Sequence, residues 1–206
     1  MMILTDPMEI EKRSMEIIES ELPVHIPEEN KAVVKRVVHC TADFDYARNL
    51  AFSEGAVQKA LVALKGGCDI ITDTQMAYSG INKAVASKLN CNIHCFMSDP
   101  EVAEEARRRG CTRAVVSMER AAEMNKPLIF AIGNAPTALL RIRELIDSGK
   151  ISPKLVIGVP VGFVNVIESK NAIMETDVPY IIAKGRKGGS NVAAAIVNAL
   201  MYQITR

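Results

Sequence analysis

The sequence predicts an α/β fold: a mainly parallel sheet of about five strands with helices on both faces, preceded by N-terminal helices. Three observations carry this expectation. The first third of the chain is patterned as helix, short apolar runs then alternate with helix-length segments, and three junctions after those runs are rich in glycine and proline. One domain covering residues 1–206 is expected. A chain of 206 residues with 49% hydrophobic content can bury one sizeable core, and no linker, repeat or low-complexity tract breaks it.

The stretch Asp6-Pro7-Met8-Glu9 reads as a helix start, with aspartate as cap, proline in the first helical position and glutamate answering the cap. This helix runs to about residue 22. Ile10, Ile17 and Ile18 fall on the same side as Ser14, which places that serine inward. Beyond Pro23 and Pro27 a second helix carries Arg36 and His39, and a third spans about residues 54–65 before Gly66-Gly67 stops it. Strands are expected at residues 69–72, 92–96, 128–132, 155–159 and 180–183. A helix-length segment follows each of them, the pattern of parallel strands with helices on both sides. The segment from Asp99-Pro-Glu-Val to Arg107-Arg108-Arg109 puts acids at a helix start and bases at its end, which complements the helix dipole and argues surface rather than binding patch.

Charged residues make up 24% of the chain and nearly cancel, leaving a net charge of +1. No global field draws such a chain onto nucleic acid or an anionic membrane, so neither is expected as a partner. The cysteines Cys40, Cys68, Cys91, Cys95 and Cys111 are odd in number and widely spaced, and no signal peptide or long apolar run is evident; a cytoplasmic location is expected. Cys91-Asn-Ile-His94-Cys95 alternates like a strand and lacks a second ligand cluster to complete a tetrahedral site, so no metal is expected there.

Chemistry concentrates at Val34-Lys-Arg-Val-Val-His39-Cys-Thr-Ala-Asp43, where Arg36, His39 and Asp43 stand at spacings of three and four. On a helix those three share one face. Histidine has the ordinary pKa nearest neutrality, so an imidazole between a cation and a carboxylate can give or take a proton. His39 is therefore the leading catalytic candidate. The bland alternative is a histidine that caps or packs a helix end among Val33, Val34, Val37 and Val38. Cys40 reads as packing, as buried free cysteines usually are.

Three glycine-rich junctions come next: Ile132-Gly-Asn134-Ala-Pro-Thr-Ala-Leu139, Gly158-Val-Pro-Val-Gly-Phe-Val164 and Lys184-Gly-Arg186-Lys187-Gly-Gly-Ser190. All three fall after strands, at the edge where open α/β sheets bind ligands, and helix starts there offer N–H groups to anions. A ligand with several carboxylates or phosphates suits them, and Arg186 and Lys187 add side-chain charge. The alternative is a turn with exposed basic residues. Dinucleotide and P-loop fingerprints are missing, which disfavours a nucleotide enzyme. Glu168 and Lys170 follow the second junction and can reach the same cleft, although such a pair on a helix is more often solvated.

Taken together, Glu11-Lys-Arg-Ser14, Arg36-Val-Val-His39, Gly133-Asn-Ala-Pro-Thr-Ala-Leu139, Gly158-Val-Pro-Val-Gly-Phe-Val164 with Glu168-Ser-Lys170, and Gly185-Arg-Lys-Gly-Gly-Ser190 closely resemble the precorrin-8X methylmutase family, over nearly the whole chain. The resemblance implies an isomerase of cobalamin biosynthesis that moves a methyl group from C-11 to C-12 of precorrin-8X or cobalt-precorrin-8, giving hydrogenobyrinate or cobyrinate. It implies His39 as proton donor and acceptor, with Ser14 and Arg36 binding substrate. The tetrapyrrole's carboxylate arms give Asn134, Arg186 and Lys187 a ligand, and Arg113, at a helix start after Thr112, joins them if it faces the cleft. A shift of this kind leaves atom count and redox state unchanged, so no cofactor is expected from the protein. The macrocycle is large for one such domain, and the resemblance points to a homodimer. A non-catalytic tetrapyrrole carrier using the same basic loops is the competing reading.

Overall fold

A computed structural model describes residues 5–205. Asp6 caps helix α1 (Pro7–Glu21): its Oδ1 accepts the Glu9 N–H at 2.9 Å, and Pro7 occupies the first turn, where its missing N–H is not needed. The inward side of α1 is not the one expected. Ile18 is buried, but Ile10 and Ile17 are exposed and Ser14 is half-buried, because the helix leans on its neighbour through Met15, Ile18 and Leu22 instead.

Helix α2 (Glu28–Thr41) buries Val33, Val34, Val37 and Val38 against the long, apolar C-terminal helix α11 (Ser190–Thr205). Each such valine removed from water contributes about 1.5–3 kcal/mol. The helix ends because Ala42 takes a left-handed φ of 52° and turns its N–H back to the Val38 carbonyl. Asp43 is therefore off the helix. It does not share the face of Arg36 and His39 as the spacing suggested, and its Oδ1 instead accepts the Asp45 N–H ahead of α3 (Tyr46–Asn49).

Next comes β1 (Leu50–Phe52), a strand the sequence pattern did not reveal, and then α4 (Ala56–Lys65), which begins two residues later than expected. The rest alternates: β2 (Asp69–Thr72), α5 (Gln75–Gly80), α6 (Lys83–Lys88), β3 (Ile93–His94), a 3₁₀ turn Phe96–Ser98, α7 (Pro100–Arg109) and α8 (Arg113–Ala122), then β4 (Leu128–Ile132), α9 (Pro136–Asp147), β5 (Leu155–Gly158), α10 (Val166–Met174), β6 (Tyr180–Ala183) and α11. Strand order is β1-β6-β5-β4-β2-β3. Five strands are parallel as expected, and β1 adds an antiparallel edge, pairing Leu50 with Ala183.

The fully buried strands carry two cores. Ile70, Ile129, Leu155, Ile157 and Ile181 face the N-terminal helices and α11, while Ile71, Phe130, Ile132, Val156 and Ile182 face α8, α9 and α10. Alternate residues of a strand point to opposite faces, which is why an unbroken apolar run serves both. Order reverses between β2 and β4, which makes their carboxyl ends the switch point where open α/β sheets place a ligand.

Candidate active site

The loop after β4 meets that switch point, and a carboxylate of the protein itself already holds it. Asp73, fully buried just past β2, accepts the N–H of Gly133 on Oδ1 at 2.8 Å and those of Asn134 and Ala135 on Oδ2 at 2.8 and 2.6 Å. Burial pushes the Asp73 carboxyl up while the three N–H donors pull it down. The N–H groups expected to meet a ligand are thus occupied, and the exposed side chain of Asn134 is what the loop offers to solvent.

The loops after β5 and β6 lock onto one another and onto this one. Gly189 N–H donates to the Val159 carbonyl at 2.9 Å and Gly162 N–H to that of Arg186 at 3.2 Å. Glycine is required at two contacts: a Cβ on Gly188 would lie 2.1 Å from the Val159 oxygen, and one on Gly133 would lie 2.7 Å from Ser190 Cα. Ser190 and Thr74 add a hydroxyl pair at 2.7 Å. On the outside of this cluster stand Val161, Phe163 and Val164, with Phe163 82% exposed, and the Arg186 guanidinium lies 5.4 Å from the Phe163 ring centre.

Lys187 Nζ reaches Asp43 and Asp45 at 2.6 and 2.7 Å, so it ties the 184–190 loop to the end of α2, and that ammonium holds the Asp43 carboxyl below the usual range. One turn back, the His39 side chain is exposed and makes no hydrogen bond or ion pair among the described residues. Arg36 is half-buried, with Nη2 2.6 Å from Glu11 of α1 and the guanidinium 5.5 Å from the Tyr202 ring centre. Ser14, one turn along α1 from Glu11, donates its hydroxyl to the Ile10 carbonyl at 2.7 Å. The Glu11–Arg36 pair ties α1, one turn from Ser14, to α2, one turn from His39. Cys40 is exposed, not packed as expected, and its thiol lies 3.3 Å from the Val37 carbonyl.

Arg113 opens α8, exposed, and donates to the Met97 carbonyl at 3.2 Å. A 3.0 Å contact between Thr112 and Thr137 hydroxyls sets that helix start beside the first turn of α9, at the carboxyl edge but on the β3 side. Glu168 and Lys170 part company: Glu168 is exposed, whereas Lys170 is 1% exposed and donates to the carbonyls of Gly185 and Lys187 at 2.7 and 2.9 Å. Burial pulls its ammonium down to about 8. His94 has its Nε2 3.1 Å from Asp69, and no group of three His, Cys, Asp or Glu side chains placed to hold a metal occurs among the described residues.

Sequence reasoning missed Asp73 and Glu11. Glu11 had a signal, since it opens the same motif as Ser14; Asp73, a single aspartate after a strand, had none.

The arrangement offers an accessible imidazole beside an arginine, a basic loop and an exposed apolar face, which together suit a large, flat polycarboxylate. Comparison with known proteins agrees. A family model described as precorrin-8X methylmutase matches residues 9–203. The cobalt-precorrin-8 methylmutase of Leptospira interrogans is 44% identical over 201 residues, covering 93% of this chain and 91% of its own. That of Salmonella typhimurium is 47% identical over 176 residues, covering 85% and 82%. The solved precorrin-8X methyl mutase of Thermus thermophilus superposes with a TM-score of 0.88 at 37% identity, covering 95% of this chain and 97% of that one.

Proposed function

The chain belongs to the precorrin-8X methylmutase family, intramolecular methyl-transferring isomerases of cobalamin biosynthesis, and we propose that His39 is its proton donor and acceptor in moving a methyl group from C-11 to C-12 of precorrin-8X or cobalt-precorrin-8. The product is hydrogenobyrinate or cobyrinate. The observation that carries the role of His39 is its availability: an exposed imidazole without a partner among the described residues, one turn from Arg36, on the helix whose end holds the basic loop.

Protonating the macrocycle draws electron density from the migrating centre, and on its return the proton needs the same group as base. A placed acid–base group contributes about 10²–10⁴-fold in rate. Binding supplies the rest, by holding the reacting carbons in one geometry. Arg36 spends one N–H edge on Glu11 and keeps further donors of its planar fork for a carboxylate. Arg186 presents its charge above Phe163, and Val161, Phe163 and Val164 offer apolar contact to the ring system. Ser14, Asn134 and Arg113 remain assigned to substrate, while Lys187, neutralised by two carboxylates, acts by holding its loop.

Residues 1–206 are taken as one methylmutase-like domain, working as a homodimer in the cytoplasm. Support for the dimer is the span of the site: Arg113 and His39 sit toward opposite ends of the sheet edge, and a second copy closes an open face. No helix among the described residues is long and apolar enough to cross a membrane.

The test mixes the purified protein with cobalt-free and cobalt-bound precorrin-8 and follows the ultraviolet-visible spectrum. Conversion that vanishes in His39→Ala supports the assignment. A stoichiometric spectral shift without turnover would favour a tetrapyrrole carrier.

A further inference from the structure

Lys170 is the one buried ammonium in the described core, and it has no carboxylate partner: both its hydrogen bonds go to backbone carbonyls, those of Gly185 and Lys187. Between them, the Arg186 carbonyl accepts the Gly162 N–H. Three consecutive carbonyls of the 184–190 loop therefore turn toward α10 and the 158–165 loop. No peptide bond among the described residues is cis. In a trans peptide the carbonyl and the following N–H point opposite ways, so the N–H groups of Arg186 and Gly188 turn away from Lys170 and that of Lys187 turns away from Gly162. They bond to no backbone carbonyl among the described residues. Successive outward N–H groups form a concavity with positive partial charge, the kind of surface that receives an anion.

We propose that Lys170 is a positioning residue for substrate: its buried ammonium gathers the loop's carbonyls and so aims the N–H groups of residues 186–188, together with the Arg186 guanidinium, at one carboxylate arm of the tetrapyrrole. The nature of the anion rests on the methylmutase reading, but the tether does not. Gly185 at φ +76° and the close seat of Gly188 under Val159 let the chain take this path. A carboxylate in place of Lys170 would repel those carbonyls and reverse the loop's polarity. An apolar residue would leave them unsatisfied, and the loop would be free to rotate its peptide planes. Burial, which lowers the Lys170 pKa to about 8, still leaves it mostly charged at neutral pH.

The experiment has two readings. First, native-state hydrogen exchange of ligand-free wild type and Lys170→Met follows the amides of Gly162 and Gly189, which bond across the two loops. Faster exchange confined to these amides, with melting temperature little changed, is expected; unchanged exchange would overturn the tether. This reading is independent of whether the wild type turns over substrate. Second, mutase kinetics are measured for Lys170→Met, Arg186→Gln and the double variant. A rise in KM of about tenfold, the equivalent of one charge-assisted contact, is expected with kcat nearly unchanged. In the Arg186→Gln background the rise should shrink, because the charged member of the aimed set is gone and only the backbone N–H groups remain to be positioned. An equal rise in both backgrounds, or a fall in kcat alone, would contradict a positioning role. Should Lys170→Met fail to fold, Lys170→Gln, which keeps N–H donors without the charge, replaces it: faster exchange and raised KM support the proposal, and wild-type values for both overturn it.

Discussion

Two loops at the same sheet edge are organised by buried charges of opposite sign. After β4, Asp73 collects three N–H groups, so the peptide units of residues 133–135 point their positive ends inward. After β6, Lys170 collects two carbonyls, so the peptide units there point their positive ends outward. The sign of one buried side chain decides which end of a loop's dipoles faces the ligand. It follows that glycine-rich sequence at a strand end does not by itself make an anion site, and of these two loops we assign the anion to the one around Lys170.

Removing the carboxylate is the strongest way to break this comparison. Asp73→Ala strands three N–H groups and is expected to cost about 3 kcal/mol or more, read by denaturant unfolding. Asp73→Asn, which keeps the shape but sets an amide donor against N–H groups, should fall between it and the wild type.

Lys170→Met should be milder at neutral pH, because losing two hydrogen bonds is offset by no longer burying a charge. Its signature lies in alkaline solution. The folded pKa, about 8, lies below the ordinary value of 10.5, so between these the unfolded chain binds more protons and wild-type stability rises with pH. Relative to Lys170→Met, wild type should gain up to about 1.4 kcal/mol per pH unit across that window, measured as the difference in unfolding free energy. A difference that stays flat from pH 8 to 10.5 would mean the ammonium is not desolvated.

Smaller still is the surface tie. Lys187→Met frees the half-buried Asp43 and the exposed Asp45 and should cost little, a loss that shrinks with added salt and is read by denaturant unfolding. Phe163→Ala is expected to leave stability within about 0.5 kcal/mol because the ring is 82% exposed, and to weaken substrate binding in the steady-state assay.

The strands β2, β4 and β6 were legible to the residue because apolar runs there are bounded by polar or turn residues. Leu50-Ala51-Phe52 was not, since three residues carry no period and this strand exists through pairing with residues 181–183. His39, Arg36 and Ser14 could be read as a motif, and the glycine-rich junctions were correctly placed at strand ends. Asp73 and Lys170 were opaque as organisers. Their partners lie 60 to 62 and 15 to 17 positions away, and a lone aspartate after a strand or a lysine on a helix is ordinarily solvated. The α2 terminus misled for a local reason: helical spacing was extended through Ala42, whose left-handed backbone ends it.

The most direct test of the central claim is conversion of precorrin-8 by wild type and His39→Ala, with equal folding verified by circular dichroism. Wild type should change the spectrum over time in the cobalt-free cuvette, the cobalt-bound one or both, and His39→Ala should be slower by about 10²–10⁴-fold while still binding. Turnover by His39→Ala equal to wild type would contradict the assignment of that histidine.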